Sequence, residues 1–379
     1  MYQRVQSMKS LMVLLVSVAV LVGAISLSPI IADDPEGFTP MFNGKDLSGW
    51  VNVNCAPGTF YVKGDEVMTT GSPTGFLRTA KQYENFVLEL DWMHVNTKEV
   101  GNSGVFVWGD PLPAVGTGYT RGIEVQVLVN LEYRDNKTKA VTATSHGDLF
   151  SIWGARCKPD RPHPLGWERC LPSTNHAKGG GEWNHYKVVA NDGVIKLTVN
   201  GVEVSGVSKC SPRKGYLALE SEGAECHFKN MKIKELPSTN PRPEEIAKLD
   251  EGHVSLFDGL TFDGWKFWTP PGFTADQGWK AEDGRLIAAG TDYLSTKKAY
   301  GPCELIFDWK VPAKADKPEC TISVGGQTST VQLPNGAKPG SWHRHTVKAE
   351  QVTDPAPIQF LPAPGLELRN LFFRELKSN

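Results

Sequence analysis

An all-β fold of two tandem β-sandwiches is predicted by three features of the sequence: period-two alternation, closely spaced turn signals and an internal repeat. Phe86, Leu88, Leu90 and Trp92 alternate with Val87, Glu89 and Asp91, and Ile195, Leu197 and Val199 alternate with Lys196 and Thr198. That is the pattern of strands with one buried face. Asn191-Asp-Gly193 and Asn200-Gly201 bracket the second run as tight turns. The chain has 38 glycines and 26 prolines in 379 residues and no long stretch of helical period. Short strands joined by frequent turns make a sandwich or jelly roll in each copy.

The repeat rests on four anchors in the same order. Phe42-Asn-Gly-Lys-Asp-Leu-Ser-Gly-Trp50 returns as Phe257-Asp-Gly-Leu-Thr-Phe-Asp-Gly-Trp265, and Leu90-Asp-Trp92 as Phe307-Asp-Trp309. Gly181-Glu-Trp-Asn-His185 returns as Gly340-Ser-Trp-His-Arg344, and Phe228-Lys-Asn230 as Leu368-Arg-Asn370. The expected division is a long copy over 36–237, a linker over 238–250 announced by the turn-rich stretch Pro237-Ser-Thr-Asn-Pro-Arg-Pro243, and a shorter, degenerate copy over 251–377. Between its second and third anchors the second copy is much the shorter, so function is expected in what only the first copy has. The same alignment sets Cys303 against core Phe86, as a buried thiol.

Ahead of the first copy, Arg4 and Lys9 precede an apolar run from Leu11 to Val22, then Pro29 and Ala32 before Asp33-Asp34. Residues 1–32 therefore read as a secretory signal peptide, with an uncleaved anchor over Leu11–Ile31 as the alternative. The expected location is secreted or periplasmic, with no other membrane segment. Disulfides are allowed there, and Cys157–Cys170 and Cys210–Cys226 are the candidate pairs among seven cysteines. The 40 basic and 42 acidic side chains give a net charge of -2, which argues against a nucleic-acid partner.

In Arg121-Gly-Ile-Glu-Val-Gln-Val-Leu128, Glu124 and Gln126 project from one strand face while Ile123, Val125 and Val127 take the other. The match in copy two is read as Thr330-Val-Gln332, which keeps Gln and loses Glu. Asn102-Ser-Gly104 opens the preceding strand, either as a ligand-facing amide or as a turn. The irregular insert of copy one gathers His146, Asp148, Trp153, Arg156, Trp167 and Arg169, the mixture of stacking faces and polar donors that a sugar pocket requires. Trp108, Trp153, Trp167 and Trp268 have no partner in the other copy, whereas Trp50, Trp92 and Trp183 do and read as core. Trp108, Trp153 and Trp167 are thus candidates for substrate binding, with Asn102, Gln126, Asp148, Arg156 and Arg169. Glu220 and Glu222 share a face of a second acidic strand. No nucleophile elbow, phosphate loop, zincin helix or C-x-x-C is present. No cofactor is expected, with a divalent metal around Glu124, His146 and Asp148 as the open alternative, for which no ligand spacing gives strong support.

Together the anchors, with Asn102-Ser-Gly104, Glu124-Val-Gln126 and Phe228-Lys-Asn-Met-Lys-Ile233, resemble the 3-keto-disaccharide hydrolase domain family over about 38–237, and a degenerate version over about 253–376. The family often carries Gln-x-His in its late strand, where this chain reads Glu220-Ser-Glu222. The resemblance implies a concanavalin-like jelly roll and a carbohydrate substrate, an oxidised glycoside or polysaccharide fragment. It also implies hydrolase or lyase chemistry in which the ketone acidifies the neighbouring C2 hydrogen, so that one base suffices. On that reading Glu124 is the base, Arg121, His146 or Asn102 stabilises charge, and Glu220 donates a proton. The alternative is a non-catalytic carbohydrate-binding or surface-assembly module.

Overall fold

The computed structural model describes residues 36–272, 274–276, 278–315 and 318–377. The predicted signal segment lies outside them. Two pairs of facing antiparallel sheets, with a two-stranded ribbon of Glu132–Arg134 and Val141–Thr144 in the first half, make up the described chain, and no sheet is shared between its two halves. In the first half a nine-stranded sheet faces a seven-stranded one, and in the second a six-stranded sheet faces a five-stranded one. Among the described residues the only helical turn is Pro243–Glu245, and no helix is long and apolar enough to cross a membrane.

Alternation builds each core. In the strand Phe86–His94 every second residue is buried, and Leu88, Leu90 and Trp92 meet Val105, Val125 and Val127 of the opposite sheet in one cluster. A second cluster, around Leu305, Phe307, Trp309 and Phe360, fills the other sandwich. The duplication extends to detail. The indole of Trp50 donates to Met41 O and that of Trp265 to Leu256 O, both at 2.9 Å.

The second sandwich sits on the outer face of the seven-stranded sheet. Phe372 packs there against Val53, Phe76, Phe106 and Ala218. Polar contacts ring this apolar patch: Asn54 donates to Asn370, Thr74 N to Asp283 at 3.0 Å, and buried Arg78 pairs with Asp250 at 2.6 Å. The segment between the sandwiches is fastened down, with Glu84 accepting from Ser238 and Thr239, and Gln82 donating to Ala247 O and Lys248 O.

Two expectations are corrected. All seven cysteines are free and buried. Each occupies a position packed into a core, so closeness in sequence did not bring the proposed pairs into a bond. Cys303 is indeed a buried core thiol. In copy two, strand pairing sets Thr321 opposite Thr330 and Ser323 opposite Thr328, where copy one sets Gly104 opposite Gln126 and Phe106 opposite Glu124. If Asn102-Ser-Gly104 corresponds to Glu319-Cys-Thr321, then Thr328 and Thr330 replace Glu124 and Gln126, and the glutamine is not shared.

Candidate active site

Three neighbouring strands of the seven-stranded sheet carry the site: Gly101–Gly109, Gly122–Val129 and Tyr216–Ser221. Their apolar positions (Val105 and Val107, Ile123, Val125 and Val127, Leu217 and Leu219) point into the core. The intervening positions put Asn102, Gly104, Glu124, Gln126 and Glu220 on the other face. Gly104 pairs with Gln126, and Phe106 with Glu124. A β-carbon on Gly104 would lie 2.8 Å from Glu220 Oε2 and 3.0 Å from Glu124 Oε1. Glycine is what lets two carboxylates converge over this backbone.

A third carboxylate, Glu222, stands just past the end of the last strand. It accepts from Tyr119 OH at 2.8 Å and from the amide of Asn102. Asn102 Oδ1 in turn accepts from Gln126 Nε2 at 2.9 Å. Glu124 is 7% exposed and Glu220 1%. Burial, then the charge of Glu222, pushes Glu124 up to about 8, against the pull of Arg169. Burial followed by the charges of Glu124 and Glu222 raises Glu220 well above the carboxylate range. Glu220 Oε2 has no hydrogen-bond partner. Glu222 is also raised by burial, but Tyr119, Glu220 and Asn102 hydrogen-bond to it and oppose the shift. Three acids crowded in this way favour a shared proton.

A buried ion pair supports the cluster from one side. Asp148, fully buried, accepts from Thr144 Oγ1 at 2.6 Å and from Arg169 Nε at 2.7 Å. Arg169 reaches on to Gln126 Oε1 at 3.0 Å and lies over the ring of Phe150 at 3.9 Å. Gln126 is therefore fixed at both ends of its amide, and it carries the influence of the insert to the acids. On the other side Tyr119 stacks on Trp153, centroids 6.1 Å apart and planes at 14°. Trp153 is 51% exposed. It lines a cavity of about 910 Å³ between the sandwiches, together with Arg121, Leu112, His253 and Arg344. Trp167, 50% exposed and stacked on His163, lines a smaller hollow with Arg156 and Arg169.

The structure thus brings together Glu124, Glu220, Gln126, Asn102, Asp148 and Arg169, and places Trp153 at the edge through Tyr119. Other residues go elsewhere. Trp108 is completely buried, its indole donating to Glu84 O at 2.7 Å, so it cannot stack on a substrate. Arg121 is turned to Asp110, at 2.8 and 3.0 Å. His146 has its backbone N–H on Thr144, and its Nδ1 is buried without a partner. Arg156 pairs with Glu168 at 2.6 Å. Trp183 is not core but half-buried, with Lys229 Nζ 3.8 Å from its ring centroid. Tyr119 and Glu222 were not foreseen. The shared face of Glu220 and Glu222 was the available signal for the second; nothing local marks the first.

Among the described residues Glu251, His253 and Glu304 bring possible metal-ligand atoms within 4.8 Å of one another. Lys348 and Arg374 already pair with Glu304, and Arg374 with Glu251, each at 2.9 Å. That cluster is charge-balanced by the protein itself.

A family model described as a 3-keto-alpha-glucoside-1,2-lyase-like domain matches residues 37–234 and again 252–351. No curated protein matches the sequence. Among solved structures, a "putative glycosyl hydrolase" from Parabacteroides distasonis is 23% identical, covering 53% of this chain and 95% of that one with a TM-score of 0.40. The carbohydrate-binding module CBM66 from Bacillus subtilis is 13% identical, covering 49% and 96% with a TM-score of 0.36. The exoplasmic/lumenal domain of VIP36, in its Ca2+/Man3GlcNAc-bound form, is 12% identical, covering 52% and 89% with a TM-score of 0.36.

Proposed function

Because the chain belongs to the family of 3-keto-alpha-glucoside-1,2-lyase-like domains, we propose that its first sandwich cleaves 3-keto-α-glucosides by base-assisted elimination at the Glu124–Glu220–Glu222 cluster. The observation that carries this reading is the convergence of Glu124 and Glu220 over Gly104. An ordinary retaining glycosidase needs a carboxylate nucleophile and a separate acid. A ketone at C3 changes the requirement. It acidifies the hydrogen on C2, and removal of that proton gives an enolate whose electron pair forms the C1=C2 bond as the C1–O bond breaks.

The three acids suit this sequence in different ways. Glu124, with its affinity for protons raised to about 8, accepts the C2 proton and can return it to solvent near neutral pH. Glu220, held protonated by burial and by its acidic neighbours, gives a proton to the departing oxygen. Glu222, braced by Tyr119 and Asn102, adds its charge to the burial that raises the other two. Asn102 and Gln126 supply amide groups beside the developing enolate. Elimination yields the alcohol and an unsaturated keto sugar, and water added across C1=C2 completes a net hydrolysis.

The half-exposed Trp153 and Trp167 support a carbohydrate approach along the insert. They also favour the second reading, a carbohydrate-binding module without catalysis. Mixing the protein with a 3-keto-α-glucoside separates the two: release of the alcohol supports the enzyme, and saturable retention without release supports the binder.

A further inference from the structure

The two sandwiches repeat one surface device, and in one of them its occupant is visible. In the second sandwich Asp308 lies opposite Arg344 and Arg369 on the neighbouring strands, and Asn370, at φ 53, donates to Asp308 at 2.7 Å. In the first, Asp91 lies opposite His185 and Lys229, and Asn230, at φ 51, donates to Asp91 at 2.7 Å. Arg344 Nε and His185 Nδ1 each stand 2.7 Å from the carboxylate they flank. A tryptophan precedes each by two residues, Trp342 and Trp183.

The second-sandwich device grips the backbone of the loop Pro113–Thr117 that projects from the first. Asp308 Oδ2 accepts from Gly116 N at 2.8 Å. Arg344 donates to Pro113 O at 2.9 Å, Asn370 to Thr117 O at 2.9 Å and Arg369 to Gly116 O at 3.2 Å. Gly116, at φ 74, lies flat on Trp342, where a β-carbon would come within 2.3 Å of the ring. One carboxylate takes the single inward N–H and the surrounding donors take the carbonyls.

From this equivalence we infer that the outer face of the nine-stranded sheet, around Asp91, His185, Lys229 and Asn230, is a docking site for a glycine-bearing loop of a second β-sandwich protein. The complementarity is the same: an acceptor ringed by donors, suited to one backbone N–H and several carbonyls. His185 and Asn230 are partly or fully exposed, and a cavity of about 520 Å³ lies beside them, lined also by Phe42 and Asp65. Lys229 covers the ring of Trp183 that the glycine would occupy, so docking swings it aside. A second copy of this chain cannot supply the loop without giving up its own internal contact. In copy two the corresponding hairpin is cut to Gly325-Gly326.

The test is titration of the full chain with a cyclised peptide carrying residues 112–120, read on the indole N–H resonance of Trp183. Saturable movement of that resonance is expected, weakened about tenfold or more in Asp91→Ala and abolished when valine replaces the glycine equivalent to Gly116. Should Asp91→Ala not fold, Lys229→Glu, on the exposed face, is expected to give the same loss. No saturable change up to millimolar peptide overturns the proposal, as does binding indifferent to both substitutions. Movement of Trp183 by gluco-oligosaccharides but not by peptide also overturns it, and assigns the face to sugar.

Discussion

Glu124 and Glu220 meet above the α-carbon of Gly104, so near that a methyl group there would lie 3.0 Å from one carboxylate oxygen and 2.8 Å from the other. Both are buried, and burial followed by the charge of Glu124 raises Glu220. Gly104→Ala is therefore a probe of that convergence. The added methyl meets side-chain ends that can shift, so the stability cost should stay within about 1–3 kcal/mol. Misplacement of the acids by an ångström should lower turnover by about a hundredfold. Paired thermal melts and initial rates check this: comparable losses in both would point to packing alone.

The rate should rise with pH along a limb centred near 8, where Glu124 becomes ionised. A pH–rate profile of kcat/KM reads that limb directly. In Glu124→Asp, which keeps the base but shortens its reach, the limb should persist at a lower maximum. An activity already at its plateau at pH 5 would argue for another base.

Stability carries the opposite sign. Glu124 holds its proton in the folded protein up to about 8, while its ordinary value is 4.5. Its contribution is complete below 4.5 and is lost as pH rises through 8, because the folded state binds a proton the unfolded chain has released. Glu124→Gln removes that dependence. The melting temperature of the variant relative to the parent should climb between pH 4.5 and 8 and then level. A flat difference across that window would mean that Glu124 is not strained by burial.

Arg169 is the cation that opposes the burial of Glu124, with Asp148 completely buried beneath it. Arg169→Met should cost about 3–5 kcal/mol, since it strands a buried carboxylate. It should also lower activity by freeing Gln126 Oε1. Urea denaturation supplies the first number and steady-state rates the second. A change below about 1 kcal/mol would place the pair among surface bridges that contribute little.

Much of this could be read in advance, for identifiable reasons. Period-two alternation put Glu124 and Gln126 on one face and their apolar neighbours on the other, because a strand's side-chain direction is local. Trp108 broke the same rule. Counting by twos from Gly104 and Phe106 sends it outward, but its φ of 58 turns the chain and buries the indole. Left-handed backbone at a tryptophan leaves no sequence signal. Tyr119 was invisible for a different reason. It reaches Glu222 from a loop 103 positions earlier, whose shape depends on the second sandwich holding Gly116. The cysteines misled because the expectation of export permits disulfides without requiring them, and here every thiol fills a packed site.

The central claim is tested most directly by incubating parent and Glu124→Gln proteins with a 3-keto-α-glucoside and with the unoxidised glucoside, following products by mass spectrometry. The parent should release, from the oxidised substrate alone, the alcohol and the unsaturated keto sugar, or its hydrate with a C2 hydrogen taken from solvent, and the folded variant should release neither. Equal cleavage by the variant, or equal cleavage of the unoxidised glucoside, would contradict base-assisted elimination at Glu124.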